Sequence, residues 1–549
     1  MQRKMKCDLA LVNGRIITCD ENDSIAEAFA VKNRVIIIVG TNDAVRNLLT
    51  CDTRVVDLKG RTVTPGLIDT HNHSAEAGLG DLYSLNLSYP AVKSIREAVK
   101  LILDRASHVD KGQWINGMGW DEALFEERRH ITRWDLDPVS PNNPVVLMHK
   151  SGHYLATNTL GLEMSGITKE TIAPAGSTIV KENDEPNGVL LEEGAMNLLL
   201  RHVPPWTVSQ IETSIKAMNE KWAREGVTAI KDCGVYGDCE PYLEAYENVD
   251  RRSELKIRTV FAYAVSNVET LKNIAGRLKE PGSERLRLGT VKIFVDGSAM
   301  ARTAWMHEDW NRNFFDVDLG NKGYPVIDIA HLESIVESAN DAELQVSIHA
   351  IGDRAIDTAL VAIKKALLKK PGDRRHSLIH AIIPSQEAIR EMRRLGVVVE
   401  TQSPFLYFLG DNYAGNLGPI RARKAIPLKT LIRNGVTTGN GSDTSVAPLA
   451  PRFGLWSACV RRPLKGIYGE NPFGTDEAVT VREALRSYTI EASKCLRWED
   501  KIGSIEVGKC ADFVVWSDDM YSTPVEDLNH LRVLMTVIGG EILYRAEDW

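Results

Sequence analysis

The segment that decides the fold is Thr64-Pro-Gly-Leu-Ile-Asp-Thr-His71-Asn-His73. The apolar run Val63–Ile68 indicates a buried strand, and the two histidines stand at its carboxyl end. Side chains at positions i and i+2 of a strand point to the same face, so His71 and His73 can bind one metal ion together. A His-x-His pair alone is a weak signal. Its meaning depends on which residues the rest of the chain brings to the same place.

Both ends of the chain have a hydrophobic pattern that differs from that of the middle. Short apolar runs alternate with turns over residues 9–57, and Asn13-Gly14 is typical of a type I′ hairpin between two of them. The C-terminal end repeats this pattern, with Gly539-Gly540 where a tight turn belongs. We expect residues 1–62 and 500–549 to form one small β-sandwich domain, discontinuous in sequence. Two independent end caps are the alternative.

Between these ends, strand-like and helix-like segments alternate, for example a helix over Ala330–Asp341 before a strand over Gln345–His349. About eight such units predict an α/β fold, a closed (β/α)8 TIM barrel over residues 63–499. Residues 74–210 are too many for one strand and helix. We interpret them as a large insertion after barrel strand 1 that covers the active mouth as a lid or substrate subdomain.

The composition of the 549 residues is that of a globular protein, with 43% hydrophobic and 26% charged residues. A net charge of -8 supplies no basic surface for nucleic acid or for an anionic membrane. The sequence contains no apolar run of about 18 residues, so no membrane span is expected. The eight cysteines form no CxxC pair and no signal peptide is recognisable, so we expect a cytoplasmic protein. Its expected partner is a small-molecule substrate. A homodimer is the default oligomer.

Polar residues end several later strands of the predicted barrel. Lys292 lies inside an apolar strand, where an unpaired ammonium is costly. It either pairs with a carboxylate or, as a neutral amine, adds carbon dioxide to become a carbamate that can bridge two metals. His349, His380 and Asp443 each follow a further strand. Imidazole nitrogen suits zinc, so the set predicts a catalytic metal site. Because no cysteine is seen to end these strands, thiolate ligation is not expected.

These motifs together resemble the amidohydrolase superfamily, and more narrowly its amidohydrolase-3 (YtcJ-like) branch. The stretches Trp114–Asp121 and Gly152-His153 are similar to that branch as well. The resemblance extends over nearly the whole chain. Its main carriers are Pro65–His73, Lys292–Ser298, Ile348–Arg354, His380, Gly441–Asp443 and Ile502–Asp512.

The resemblance implies a role for each ligand. His71 and His73 would hold the more buried metal, and His349 and His380 the second. Lys292, carboxylated, would bridge the two. Some relatives with similar ligands use one metal and no lysine, so either one or two Zn²⁺ ions fit the pattern. Many relatives have Asp at position 72; the Asn72 side chain is expected to point away from the site, with little effect.

The reaction that the resemblance implies is hydrolysis of an amide-type C–N bond by metal-activated water, with Asp443 as ligand and general acid/base. His153 or Arg302 would stabilise the oxyanion. His153 could instead pack under the lid, and Arg302 could cap a helix or form a salt bridge. Trp120, His153 and Phe405 are candidate substrate contacts.

Two other functions use the same residues. A deaminase, or a lactone or carbamate hydrolase, would need the same metals. A non-catalytic regulatory protein could keep the barrel and its metal for binding alone. The intact set from His71 to Asp443 argues for an enzyme, because a binding module has no need for a general base.

Overall fold

The computed structural model describes residues 6–234, 238–280, 282–469 and 471–549. Eight parallel strands follow one another in chain order and form a nearly closed barrel. At the seam, the backbone N–H of Asp443 donates to the carbonyl of His71 at 2.8 Å. The α/β barrel prediction is confirmed. Barrel strands 1 to 8 are Leu67–Asn72, Val227–Asp232, Arg258–Ala264, Leu286–Phe294, Gln345–Ala350, Ser377–His380, Val398–Thr401 and Thr438–Asn440.

Helices cover the outer face of the barrel strands, and the inner face is buried in the barrel interior, so both faces are buried as parallel sheets require. Their sequences contain clear boundary signals. Thr207 and Gln210 form a capping box at the start of Val208–Arg224, and Gly396, with φ of 65°, ends Gln386–Leu395. The helices outside the insertion are Asn42–Arg46, Ser74–Tyr83, Val208–Arg224, Glu240–Arg251, Val268–Leu278, Ile329–Asp341, Asp353–Lys369, Gln386–Leu395, Phe405–Phe408, Gly410–Ala422, Leu428–Arg433, Pro451–Val460, Val481–Ser487 and Ile490–Cys495.

Both chain ends contribute to one β-sandwich, as predicted. Phe513 of the C-terminal end pairs with Pro65 of the N-terminal end in a shared sheet, and the two sheets enclose a common core. One sheet holds Val35–Gly40, Ala28–Lys32, Leu9–Val12 and Arg54–Asp57. The other holds Glu541–Arg545, Val533–Ile538, Phe513–Trp516, Thr62–Pro65, Arg15–Ile17 and Ile25–Ala26.

The two predicted hairpin turns have different outcomes. Gly539-Gly540 closes an antiparallel hairpin, with φ of 59° and 77°, as a type I′ turn requires. The prediction of a hairpin at Asn13-Gly14 was wrong, because the strands on either side of this turn lie in different sheets. A Cβ atom at Gly14 would lie 2.2 Å from Cδ1 of Leu58, so a larger residue there would displace that side chain.

The predicted strand over Val63–Ile68 is two strands. Thr62–Pro65 pairs within the sandwich, and the barrel begins at Leu67. Gly66 joins them, and a Cβ atom at this position would lie 2.1 Å from the hydroxyl of Thr228. The chain therefore passes from sandwich to barrel at a residue where only glycine fits.

The insertion is a subdomain with its own sheet and its own apolar core. Helix Ser74–Tyr83 packs against Val208–Arg224 of the barrel, so the insertion proper follows Tyr83. Its strands in sheet order are Thr178–Glu182, Glu185–Leu191, Tyr154–Thr157, Val145–His149, Ile115–Trp120 and Leu85–Asn86. Its helices are Ile95–His108, Arg133–Leu136, Thr159–Met164 and Glu192–Leu200. A small hairpin, Asn311–Asn313 with Asp316–Val317, follows barrel strand 4.

Within the described ranges, we find no helix long and apolar enough to cross a membrane.

Candidate metal centre

The carboxyl ends of the barrel strands surround a partly enclosed cavity of about 80 Å³. The insertion closes it from above with the turn between His149 and His153. All six residues predicted as metal ligands line this one cavity: His71, His73, Lys292, His349, His380 and Asp443.

His71, His73 and Asp443 form the tightest part of the site. Oδ1 of Asp443 lies 3.3 Å from Nε2 of His71 and 3.5 Å from Nε2 of His73. The donor atoms of all three lie within 4.8 Å of one another. Nδ1 of His73 lies 2.7 Å from the carbonyl of Gly234, which orients its ring with Nε2 toward Asp443.

Asp69 holds this part of the site from behind, although it was not among the residues predicted for the site. Its carboxylate accepts the backbone N–H of His71 at 3.2 Å and that of Ser442 at 2.8 Å. It also accepts the Asn72 amide at 3.1 Å, so Asn72 points away from the metal ligands as expected. Burial raises the pKa of Asp69 to about 7. A charged residue directly after the apolar run Val63–Ile68 was the available signal.

His349 and His380 form the other half. Nε2 of His380 lies 3.1 Å from Nδ1 of His349, and Nδ1 of His380 lies 2.6 Å from Oε1 of Gln402. Nε2 of His349 lies 3.1 Å from the carbonyl of Gly297. Burial holds the pKa of both imidazoles well below the ordinary value, so both are neutral, the form that binds metal.

Lys292 is fully buried, and its Nζ has no hydrogen-bond partner in the part of the chain that the structure describes. The amine lies 4.5 Å from the centroid of the Phe294 ring, and burial lowers the pKa of Lys292 to about 8. Another interior lysine behaves differently: Lys231 is paired with the buried carboxylate of Glu400 and donates to Ser347 at 2.9 Å. The predicted carboxylate partner for Lys292 is therefore not found among the described residues.

Cys233 lies beside the candidate ligands and was not among the residues predicted for the site. It directly follows barrel strand 2, and its Sγ lies 2.9 Å from Nδ1 of His71. Burial raises the pKa of Cys233 to about 12, which keeps it a thiol. The apolar run Val227–Ile230 before it was the signal in the sequence.

These residues fit a divalent metal ion. Two imidazoles and a carboxylate have their donor atoms close together, and these are donor types that zinc prefers. A buried amine that lacks a partner is also what formation of a carbamate ligand needs.

The insertion contributes His153 to the same cavity. Its Nδ1 lies 2.8 Å from Oε2 of Glu192, while the backbone N–H of Glu192 donates to the His153 carbonyl at 2.7 Å. The Thr303 hydroxyl donates to the other carboxylate oxygen of Glu192. Burial opposes a charge on His153, but Glu192 outweighs it and raises the pKa of the imidazole. The ring lies 5.1 Å from that of His349.

The remaining predicted residues lie elsewhere. Phe405 packs against the His380 ring with 6.1 Å between centroids. Trp120 was predicted to contact the substrate. It is instead fully buried in the core of the insertion, where its indole N–H donates to the Leu147 carbonyl. Arg302 lines a different cavity of about 500 Å³, with Nε 3.3 Å from the Asp318 carboxylate. Its geometry matches the salt-bridge alternative and not an oxyanion donor.

Comparison with known proteins gives consistent matches. Residues 54–544 match the Amidohydrolase family. The YtcJ protein of Bacillus subtilis is 31% identical over 97% of this chain and 98% of its own. The N-substituted formamide deformylase of Arthrobacter pascens is 28% identical over 98% of each chain. A metal-dependent hydrolase from Pyrococcus horikoshii has a similar structure, with TM-score 0.74 and 25% identity, covering 94% of this chain and 99% of its own.

Proposed function

Because the chain belongs to the amidohydrolase family, we propose that it hydrolyses an amide-type C–N bond of a small molecule in the cavity at the barrel mouth. One observation carries the proposal. The carboxylate of Asp443 lies within 3.5 Å of both histidines of the pair and lines the cavity at the barrel mouth.

The metal assignment follows from the donors. His71, His73 and Asp443 would hold one Zn²⁺, and His349 and His380 a second, with carboxylated Lys292 shared between them. A divalent ion bound there lowers the pKa of water to about 7, so hydroxide is available at neutral pH. Cys233 lies behind His71 and would orient its ring toward the ion.

Asp443 is the general acid/base of the proposed reaction. Its carboxylate faces the cavity, so it can accept the proton of an attacking water and return it to the leaving nitrogen. His153 is the donor for the oxyanion, since Glu192 binds its Nδ1 and leaves the ring at the wall of the cavity.

The similarity to a formamide deformylase favours an N-acyl amine, and N-formyl amines in particular, over a ring deaminase or a lactone or carbamate hydrolase. A purely regulatory role is less well supported. It would need neither a carboxylate facing the cavity nor the oriented His153–Glu192 pair.

The test is metal quantification followed by a substrate screen. We expect at least about one equivalent of tightly bound zinc or manganese. We expect turnover of N-formyl or N-acetyl amines by the metal-loaded enzyme, abolished by a chelator and restored by metal. A protein with less than about half an equivalent after metal supply would support the binding module. If the protein cleaves only lactones, or only deaminates rings, its function is that of a lactone hydrolase or a deaminase and not of an amide hydrolase.

A further inference from the structure

We propose that Lys150 binds a carboxylate of the substrate, so that the enzyme acts on small amides that carry a negative charge near the scissile bond. The inference rests on the proposed function, because it names the class of amide that the same cavity selects.

Lys150 lies at the wall of the cavity that holds the metal ligands. It belongs to the turn that closes the cavity from the insertion side. The backbone N–H of Lys150 donates to the Trp120 carbonyl at 3.0 Å, and that of Gly152 donates to the His149 carbonyl at 3.0 Å. Because Trp120 is part of the insertion core, the base of the Lys150 side chain is held in place opposite the barrel.

The ammonium of Lys150 has neither an ion pair nor a hydrogen bond among the described residues; it lies 5.5 Å from the centroid of the Phe408 ring. Its charged neighbour Asp121 accepts the backbone N–H of Ala123 instead. Burial lowers the pKa of Lys150. Lys150 is partly buried, and a partly desolvated cation without a counter-ion is stabilised when an anionic ligand binds it.

The other charged groups at the cavity have assignments of their own. Glu76 lies on the barrel side, where its charge acts on His73 and Asp232 and not on Lys150. Lys292 and Asp443 belong to the metal centre. Of the described residues that line the cavity, Lys150 is therefore the cation that remains for a substrate.

Lys150 and the candidate metal ligands line one cavity, so a charge bound by Lys150 and a bond that reacts at those ligands belong to one small molecule. A carboxylate bound by Lys150 lies only a few bonds from an amide at the metal ligands. An N-formyl or N-acetyl derivative of a small amino acid has this arrangement.

The experiment compares matched substrates that differ only in charge. The metal-loaded enzyme is assayed on N-formyl and N-acetyl derivatives of small amino acids and on their primary carboxamides. We expect kcat/KM to be higher for the acids by on the order of tenfold to a hundredfold. Lys150→Met should remove this preference through KM while leaving the carboxamides within about threefold of wild type, and Lys150→Arg should restore most of it.

Two controls separate this inference from the proposed function. Lys272→Met removes an exposed lysine that has no ion pair among the described residues, and it should change neither substrate class. Binding of the acids and carboxamides to Asp443→Asn protein, measured by calorimetry, tests charge selection without turnover. Acid-selective binding that Lys150→Met abolishes supports the Lys150 assignment even when no amide is cleaved.

Equal kcat/KM for acids and carboxamides in wild type would overturn the Lys150 assignment and leave the proposed function standing. An equal loss for both classes in Lys150→Met would overturn it as well, since that result means a structural role.

Discussion

The carboxylate of Glu192 binds the ring of His153 at 2.8 Å while its backbone N–H binds the carbonyl of the same residue at 2.7 Å. Glu192 adopts φ of 64°, a conformation that costs a non-glycine residue energy. Through Thr303 it is also connected to the loop after barrel strand 4. One buried side chain therefore links the insertion to the metal centre and orients the imidazole at its wall.

We predict that Glu192→Gln lowers kcat by about 10- to 100-fold, the usual effect of losing a partner behind an active group, with KM changed far less. The isosteric amide keeps the shape but not the charge that holds His153. Metal content should stay at the wild-type level. Glu193→Gln, a matched change at the next residue, should leave kcat unchanged. Wild-type kcat in Glu192→Gln would show that the contact only supports the fold.

Asp443→Asn should reduce kcat by at least about 10²- to 10⁴-fold, because an amide cannot accept and return the proton. Retained metal, measured by atomic absorption, would show that the remaining ligands suffice to bind it. Full activity in this variant would contradict the assignment of Asp443 as acid/base.

Lys292 should carry a carbamate. Enzyme prepared with zinc and ¹³C-bicarbonate should show a carbamate carbonyl resonance that is absent from Lys292→Ala, and bound zinc should fall from about two equivalents to about one. Lys272→Ala should retain the resonance. A wild-type protein with one zinc and no such signal would assign Lys292 a packing role and the enzyme a single metal.

Lys231 and Glu400 form an ion pair with both side chains fully buried, below the metal centre. Glu400→Gln should lower the stability of the metal-free protein by about 3–5 kcal/mol, because it leaves an unpaired buried ammonium. Removing both charges, with Lys231→Met and Glu400→Leu, should recover much of that loss. The exposed pair of Lys365 and Glu333 is the comparison, and Lys365→Ala should cost under about 1 kcal/mol. Thermal unfolding midpoints of the metal-free proteins measure all three.

Much of the site was accessible from the sequence because each ligand ends a barrel strand. Hydrophobic runs of strand length, each followed by a polar residue, predicted where His71, His349 and His380 would lie. Parallel strands place their carboxyl ends at one mouth, so ligands hundreds of residues apart could be assigned to one cavity. The composite sandwich followed from the same local patterns at both ends.

Contacts between distant segments were decided only by the tertiary structure. Asn13-Gly14 has the local chemistry of a hairpin turn, yet the flanking strands pair with partners in two sheets, because sheet pairing depends on the whole sandwich. Trp120 and Arg302 are residue types common at binding sites. The packing of the insertion buries Trp120, however, and Arg302 forms a salt bridge with Asp318.

The sequence by itself determined the barrel, the paired ends and the order of the candidate metal ligands, because these follow from hydrophobic periodicity and strand ends. The tertiary structure decided which side chains stand behind the ligands. Cys233 lies against His71 and Glu192 against His153 across 162 and 39 residues of sequence, respectively. No local pattern records such pairs, since they arise when the closed barrel and the insertion pack together.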